Sequence, residues 1–183
     1  MLRSERDQKP GIVDIARRLK EVQLIVVANR EPYVHRRVQN RIQVSRPAGG
    51  LVSALDPVLQ ATGGTWVAWG SGSADHDAVD EHDHVVVPPE RGRYTLRRVW
   101  LSEREQGGYY NGYANQVLWP VCHMQVERMH LTRQYWSRFT EVNRRFAEAV
   151  IDELQAPAVV WFQDYHLALA PRYLRERLDA RAT

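Results

Sequence analysis

Cysteine is almost missing: Cys122 is the single one among 183 residues. A lone thiol excludes an internal disulfide and a thiolate metal frame, so Cys122 reads as a small buried hydrophobe. Lysine is nearly as scarce, for only Lys9 and Lys20 are lysine and every other basic residue is arginine. Nowhere does the chain hold the roughly 18 to 20 uninterrupted apolar residues of a membrane span, and its opening, MLRSERDQKPG, has no apolar signal core. A soluble cytoplasmic protein without membrane contacts is the expectation. There is no Ser-His-Asp elbow and no P-loop, which removes the commonest signatures of serine hydrolases and nucleoside triphosphatases. Internal repeats and low-complexity segments are also absent.

What is present is enough apolar material for one sizeable core. The chain is 44% hydrophobic and its length fits one domain better than two. The net charge of +3 is carried by scattered arginine doublets such as Arg17-Arg18, Arg36-Arg37 and Arg144-Arg145. Guanidinium forks suit phosphate, yet no long basic run marks a nucleic-acid surface, so nucleic-acid binding ranks last among the readings.

Hydrophobic periodicity sets the architecture. Ile12, Ile15, Ala16 and Leu19 recur at helical spacing within residues 11–22. Leu24 to Ala28 follows as a continuous apolar run, the pattern of a strand buried on both faces. Residues 31–47 are polar and arginine-rich, a loop with a short hairpin around Arg41 to Val44. A helix opens at Gly49-Gly50 and contains the awkward Pro57, and Gly63-Gly64 closes it. Trp66 to Trp69, Val85 to Val87 and Tyr94 to Leu101 read as strands. A long amphipathic helix spans Arg133 to Leu154, Ala158 to Phe162 reads as a second buried strand, and Leu167 to Leu178 as a closing helix. Strands alternating with helices argue for an α/β fold: a Rossmann-like parallel sheet with helices on both faces.

In such a sheet ligands sit beyond the carboxyl ends of the strands. That directs attention to Asn29 and Arg30, and to Asp164, Tyr165 and His166. Arg30 could hold a phosphate through two parallel hydrogen bonds, or be an ordinary loop arginine. Gly49-Gly50 before a helix could let backbone amides approach an anion, or be a turn. The segment from Tyr109 to Pro120 is dense in rings and amides that could stack on sugars, or fill a core. Asp164 could accept from sugar hydroxyls, or cap the following helix. The acidic, histidine-bearing stretch Asp75 to His84 lacks a ligand frame and reads as a solvated loop without metal.

Six blocks in order carry a resemblance: VVANR (26–30), RPAGGLVSAL (46–55), GGTWVAWGSG (63–72), YYNGYANQVLWP (109–120), YWSRFTEVNRRFAE (135–148) and VVWFQDYHLALAP (159–171). Together they are similar to the trehalose-6-phosphate synthases, retaining GT-B glycosyltransferases. The resemblance implies transfer of glucose from UDP-glucose or a related donor to glucose 6-phosphate, with no cofactor and no metal. It implies that Arg30, Tyr110 and Trp119 bind the acceptor phosphate, that Asp164 and Trp69 lie at the acceptor sugar, and that Gly49 and Gly50 lie against the donor. The catalytic residues are not assigned. Residues 1–22 would be a helical extension and 23–183 an acceptor-side domain, incomplete at its C-terminal end and inactive alone. A non-catalytic sugar-phosphate-binding homologue is the alternative, and homo-oligomerisation stays open.

Overall fold

The computed structural model describes residues 19, 22–155 and 157–181. Most of the amphipathic segment at 11–22 lies outside them. The described chain runs β1 (Gln23–Ala28), β2 (Val34–Val38), β3 (Arg41–Ser45), α1 (Gly50–Thr62), β4 (Thr65–Trp69), β5 (His84–Val87) and β6 (Tyr94–Val99). A helical stretch then begins with α2 (Glu103–Gln106), widens into a π-helix (Gly107–Leu118) and ends in α3 (Trp119–Cys122). A 3₁₀ turn (Val126–Arg128), the long α4 (Arg133–Glu153), β7 (Ala158–Phe162), a second 3₁₀ turn (Tyr165–Leu167) and α5 (Ala170–Arg181) complete it.

The main sheet has the order β5-β6-β4-β1-β7, parallel except where β5 pairs with β6. Each strand of the centre divides its side chains between two cores, because successive residues face opposite ways. Leu24, Val26, Trp66 and Ala68 meet Val52, Leu55 and Leu59 of α1 on one face. Ile25, Val27 and Val67 meet Phe139, Val142 and Phe146 of α4 on the other, with Leu174 of α5 beside them. The continuous apolar run of β1 is thus explained by burial on both sides. With β4 on one flank and β7 on the other, β1 is where the chain's crossover direction reverses.

Four expectations need correction. The strand Ala158–Phe162 is a sheet edge covered on one face only: Val159 and Trp161 remain 44% and 47% exposed. An apolar run records composition and cannot tell whether both faces find a partner. Cys122 is exposed at the end of α3 and is no core residue. The segment 31–47 is a full antiparallel hairpin, β2 with β3, whose entry from Glu31 to His35 is buried. Within the stretch Asp75 to His84, read as solvated, Asp75 is fully buried. It accepts from the His35 amide at 2.8 Å and pairs with Arg98 at 2.8 Å.

Candidate functional site

Two adjoining clefts open at the carboxyl ends of β1, β4 and β7. One, of about 270 Å³, is walled by Arg30, Gly49, Gly50, Tyr110, Asp164 and His166 among others. The second, of about 260 Å³, is walled by Arg30, Glu31, Arg36, Trp69 and Tyr110. Asn29, Arg30, Pro47 and Tyr110 line both, so the clefts meet along β1's exit. This is the position at which a doubly wound sheet splits its crossovers and leaves a crevice.

Arg30 is exposed, and its backbone is fixed from below: its carbonyl accepts from the Trp66 indole at 3.2 Å. Among the described residues its guanidinium has no carboxylate partner. Gly50 is the first residue of α1 and Gly49 caps it. A Cβ at either glycine would touch nothing within 4 Å. No neighbouring side chain demands glycine there; the backbone at Gly49, φ 159, favours it on conformation, whereas Gly50 is glycine without either reason, and both leave the backbone bare toward the cleft.

Asp164 fills two roles at once. Its carboxylate accepts from the Tyr165 amide at 2.7 Å, capping the 3₁₀ turn, and its backbone sits at φ 74. That left-handed conformation is costly for a residue with a side chain, by about 1–3 kcal/mol, and is found where surrounding structure over-determines it. Tyr110 projects from the π-helix and stacks on His166, centroids 5.0 Å apart. Trp69 closes β4. The structure thus brings together Arg30, Gly49, Gly50, Tyr110, Asp164 and Trp69. Trp119 lines neither cleft; it is 49% exposed, its ring 5.8 Å from that of Tyr165, which does line the first.

Asn29 and His166, singled out in the sequence by position and given no role there, are buried at the cleft, with Oδ1 and Nε2 respectively unpartnered by protein. Asn29 directly follows β1 and His166 lies in the 3₁₀ turn after β7, so position signalled them while residue type did not. Burial, aided by Arg30, pushes the His166 imidazole below its ordinary value, while Asp164, 3.4 Å from Nδ1, pulls the other way. Burial and the neighbouring Asp164 push the Tyr165 phenol up to about 12, so it stays a hydroxyl. Behind the second cleft, fully buried Arg98 pairs with Glu31 and with Asp75, and Glu31 also accepts from Ser71 Oγ at 2.7 Å. Arg98 falls on the core-facing side of β6, next to Val99, and a charge at such a position was the legible sign of that network. Among the described residues no three His, Cys, Asp or Glu side chains converge as a metal site would require.

A larger cavity of about 580 Å³ lies between β7 and α5, lined by Leu154, Val160, Phe162, Leu174 and Leu178. Arg175 is the one charged side chain on its otherwise apolar walls, no second polar side chain converges with it, and size alone does not make it the site.

Residues 22–182 match the model of glycosyltransferase family 20. The trehalose-6-phosphate synthase of Mycolicibacterium vanbaalenii is 39% identical over 152 residues, covering 82% of this chain and 30% of the relative. An alpha,alpha-trehalose-phosphate synthase (UDP-forming) from Burkholderia xenovorans, solved in complex with glucose-6-phosphate, superposes with a TM-score of 0.62 at 28% identity. It covers 85% of this chain and 31% of that one. An E. coli counterpart bound with UDP-2-fluoro glucose gives a TM-score of 0.64 at 31% identity, over 85% of this chain and 30% of that one. The chain spans about 30% of the length of the curated relatives it matches.

Proposed function

The chain belongs to glycosyltransferase family 20, and we propose that it forms the acceptor wall of a trehalose-6-phosphate synthase. The reaction would move glucose from UDP-glucose, or a related nucleotide sugar, onto glucose 6-phosphate with retention at the anomeric carbon. One observation carries this reading. Arg30, Tyr110, Trp69 and Asp164 converge on two joined clefts that also expose the bare backbone of Gly49-Gly50. The Burkholderia xenovorans relative is in complex with glucose-6-phosphate, and the E. coli one is bound with UDP-2-fluoro glucose, which agrees with an acceptor and a donor side.

In this reading Arg30 takes the acceptor phosphate, a charge-assisted contact. Asp164 accepts from sugar hydroxyls with the carboxylate oxygen that Tyr165 leaves free, and the unpartnered Asn29 Oδ1 and His166 Nε2 supply further polar contacts. Gly49 and Gly50 let the donor approach α1's amino end. Retention requires the leaving diphosphate and the incoming hydroxyl on one face of the transferred ring. The protein's contribution is then positioning and stabilisation of an oxocarbenium-like state. Trp119 belongs to this site only if the ligand extends past Tyr165. We place the protein in the cytoplasm, acting on small molecules and not on nucleic acid.

Isothermal calorimetry on the purified chain tests the acceptor assignment. Saturable binding of glucose 6-phosphate, with much weaker binding of glucose, is the expected result. A folded chain that ignores glucose 6-phosphate at millimolar concentration would contradict it.

A further inference from the structure

We propose that Arg36, on the β2–β3 hairpin, is a second phosphate-binding residue and sets the site's preference for a dianionic phosphomonoester acceptor. This rests on the acceptor reading above and deepens it. The inference starts from strand alternation. His35 and Arg37 face the loop at residues 71–77, and both are pinned there. The His35 imidazole Nδ1 meets Asp75 Oδ1 at 3.1 Å, and the backbone beside it is held by the Ala74 amide, which donates to the His35 carbonyl at 3.0 Å. The Arg37 amide donates to Ser73 Oγ at 3.0 Å, and its guanidinium pairs with Asp77 at 2.6 Å. With residues 35 and 37 held on that side, Val34 and Arg36 must point to the other face. That face is the second cleft, which Val34 and Arg36 both line with Arg30, Trp69 and Tyr110.

Charge completes the case. Among the described residues, neither Arg30 nor Arg36 has a carboxylate partner, whereas the neighbouring Arg37, Arg46, Arg97 and Arg98 all do. The carboxylate lining this cleft, Glu31, is occupied by Arg98 and Ser71. Two uncompensated guanidiniums therefore share one small cleft with two aromatic rings. A phosphomonoester carries close to two negative charges at neutral pH, and arginine forks meet its oxygens two at a time. The buried Arg98 network beneath the hairpin acts as the rigid support that holds Arg36 toward the cleft.

The test measures binding of glucose 6-phosphate and of glucose to the purified chain, by ³¹P-detected titration and calorimetry, in wild type, Arg36→Ala, Arg36→Lys and Arg30→Ala. Arg36 is exposed on a strand whose anchors lie on its neighbours, so these variants keep the fold, which circular dichroism checks. Arg36→Ala is expected to weaken glucose 6-phosphate by about tenfold or more while leaving glucose unchanged, with partial recovery in Arg36→Lys. If Arg36→Ala binds glucose 6-phosphate as wild type does while Arg30→Ala fails, the Arg36 assignment falls and the acceptor site stands. Equal weakening of glucose and glucose 6-phosphate would reduce the hairpin to a structural part and overturn the proposal. A folded wild type that binds no sugar phosphate removes both readings.

Discussion

At the residue scale, Arg30 gathers the most constraints: a strand end, a carbonyl held by Trp66, a place on both clefts and, among the described residues, no competing carboxylate. Losing a hydrogen bond to a charged group costs roughly 1.5–3 kcal/mol, which is about ten- to a hundredfold in affinity. In an active enzyme containing this chain, Arg30→Ala should raise the KM for glucose 6-phosphate by that factor and leave the KM for the nucleotide sugar nearly unchanged. Unchanged acceptor kinetics would take Arg30 out of the site. His166 gives a prediction of a different kind. Burial holds it neutral in the fold, so the unfolded chain takes up its proton first as pH falls below about 6.5. Its contribution to stability is complete above that pH and is lost as pH drops toward the depressed folded value. Thermal unfolding followed from pH 7.5 to 5 should show a shallower decline in His166→Gln than in wild type, and identical slopes would refute the assignment. These residues were legible for positional reasons: Asn29, Arg30, Asp164 and His166 all follow strands whose apolar runs stand out in the sequence. Arg36 was not, because its role depends on which side of a hairpin faces the cleft, and a one-residue change of register would reverse it.

At the scale of elements, the helical stretch from Glu103 to Cys122 shows where sequence reading lost the thread. Its π-helical turn places Gly108 and Tyr109 in register with Gly112 and with Ala114 and Val117, all buried, at steps of four and five. A template of 3.6 residues does not fit that pattern, so the segment looked merely rich in rings and amides. The glycines explain how the wide helix comes close to α4. A Cβ on Gly112 would lie 2.6 Å from Tyr135 Cδ1, and one on Gly108 would lie 2.7 Å from Arg138 Cγ. At Gly107 a Cβ would meet nothing within 4 Å. Magnitudes then decide the signs. Replacing a helical glycine by alanine stabilises by about 0.5–1 kcal/mol, whereas overpacking costs about 1–3 kcal/mol. Gly107→Ala should raise the melting temperature slightly, and Gly112→Ala should lower it by several degrees. Calorimetric melting of the two variants side by side is the check, and a Gly112→Ala protein as stable as wild type would mean that Tyr135 moves aside freely. The same helix starts from a complete capping box, Ser102 with Glu105. Hydrogen bonds from Arg145 and Ser102 hold the Glu105 carboxyl down at about 2. Ser102→Ala should therefore cost about 1 kcal/mol and loosen the segment that presents Tyr110.

At the scale of the molecule, alternation of strands and helices was enough to foresee a parallel sheet, and the order β5-β6-β4-β1-β7 puts the reversal of crossovers at β1, where the clefts open. What could not be foreseen is coverage. Val159 and Trp161 lie in register with Leu24 and Val26, yet they are exposed where those are buried, because α1 packs over β1 and β4 and stops short of β7. The clefts share this one-sidedness. Arg30, Tyr110, Asp164 and Trp69 form a wall facing solvent, and on it Gly49-Gly50 is the contact we propose for the donor. Catalysis by this family's reaction needs the transferred ring held between acceptor and leaving group in a water-poor space, since positioning and preorganised charge lose most of their effect in open water. A chain that spans about 30% of its relatives' length and presents one wall should therefore bind glucose 6-phosphate and turn over nothing. Mixed with UDP-glucose and glucose 6-phosphate, the purified 183-residue chain is expected to release no UDP above the uncatalysed background in a coupled assay. Release of UDP in proportion to chain concentration, in a preparation shown to be free of host enzyme, would overturn the one-wall view. It would require the opposite wall to come from a second copy of the chain.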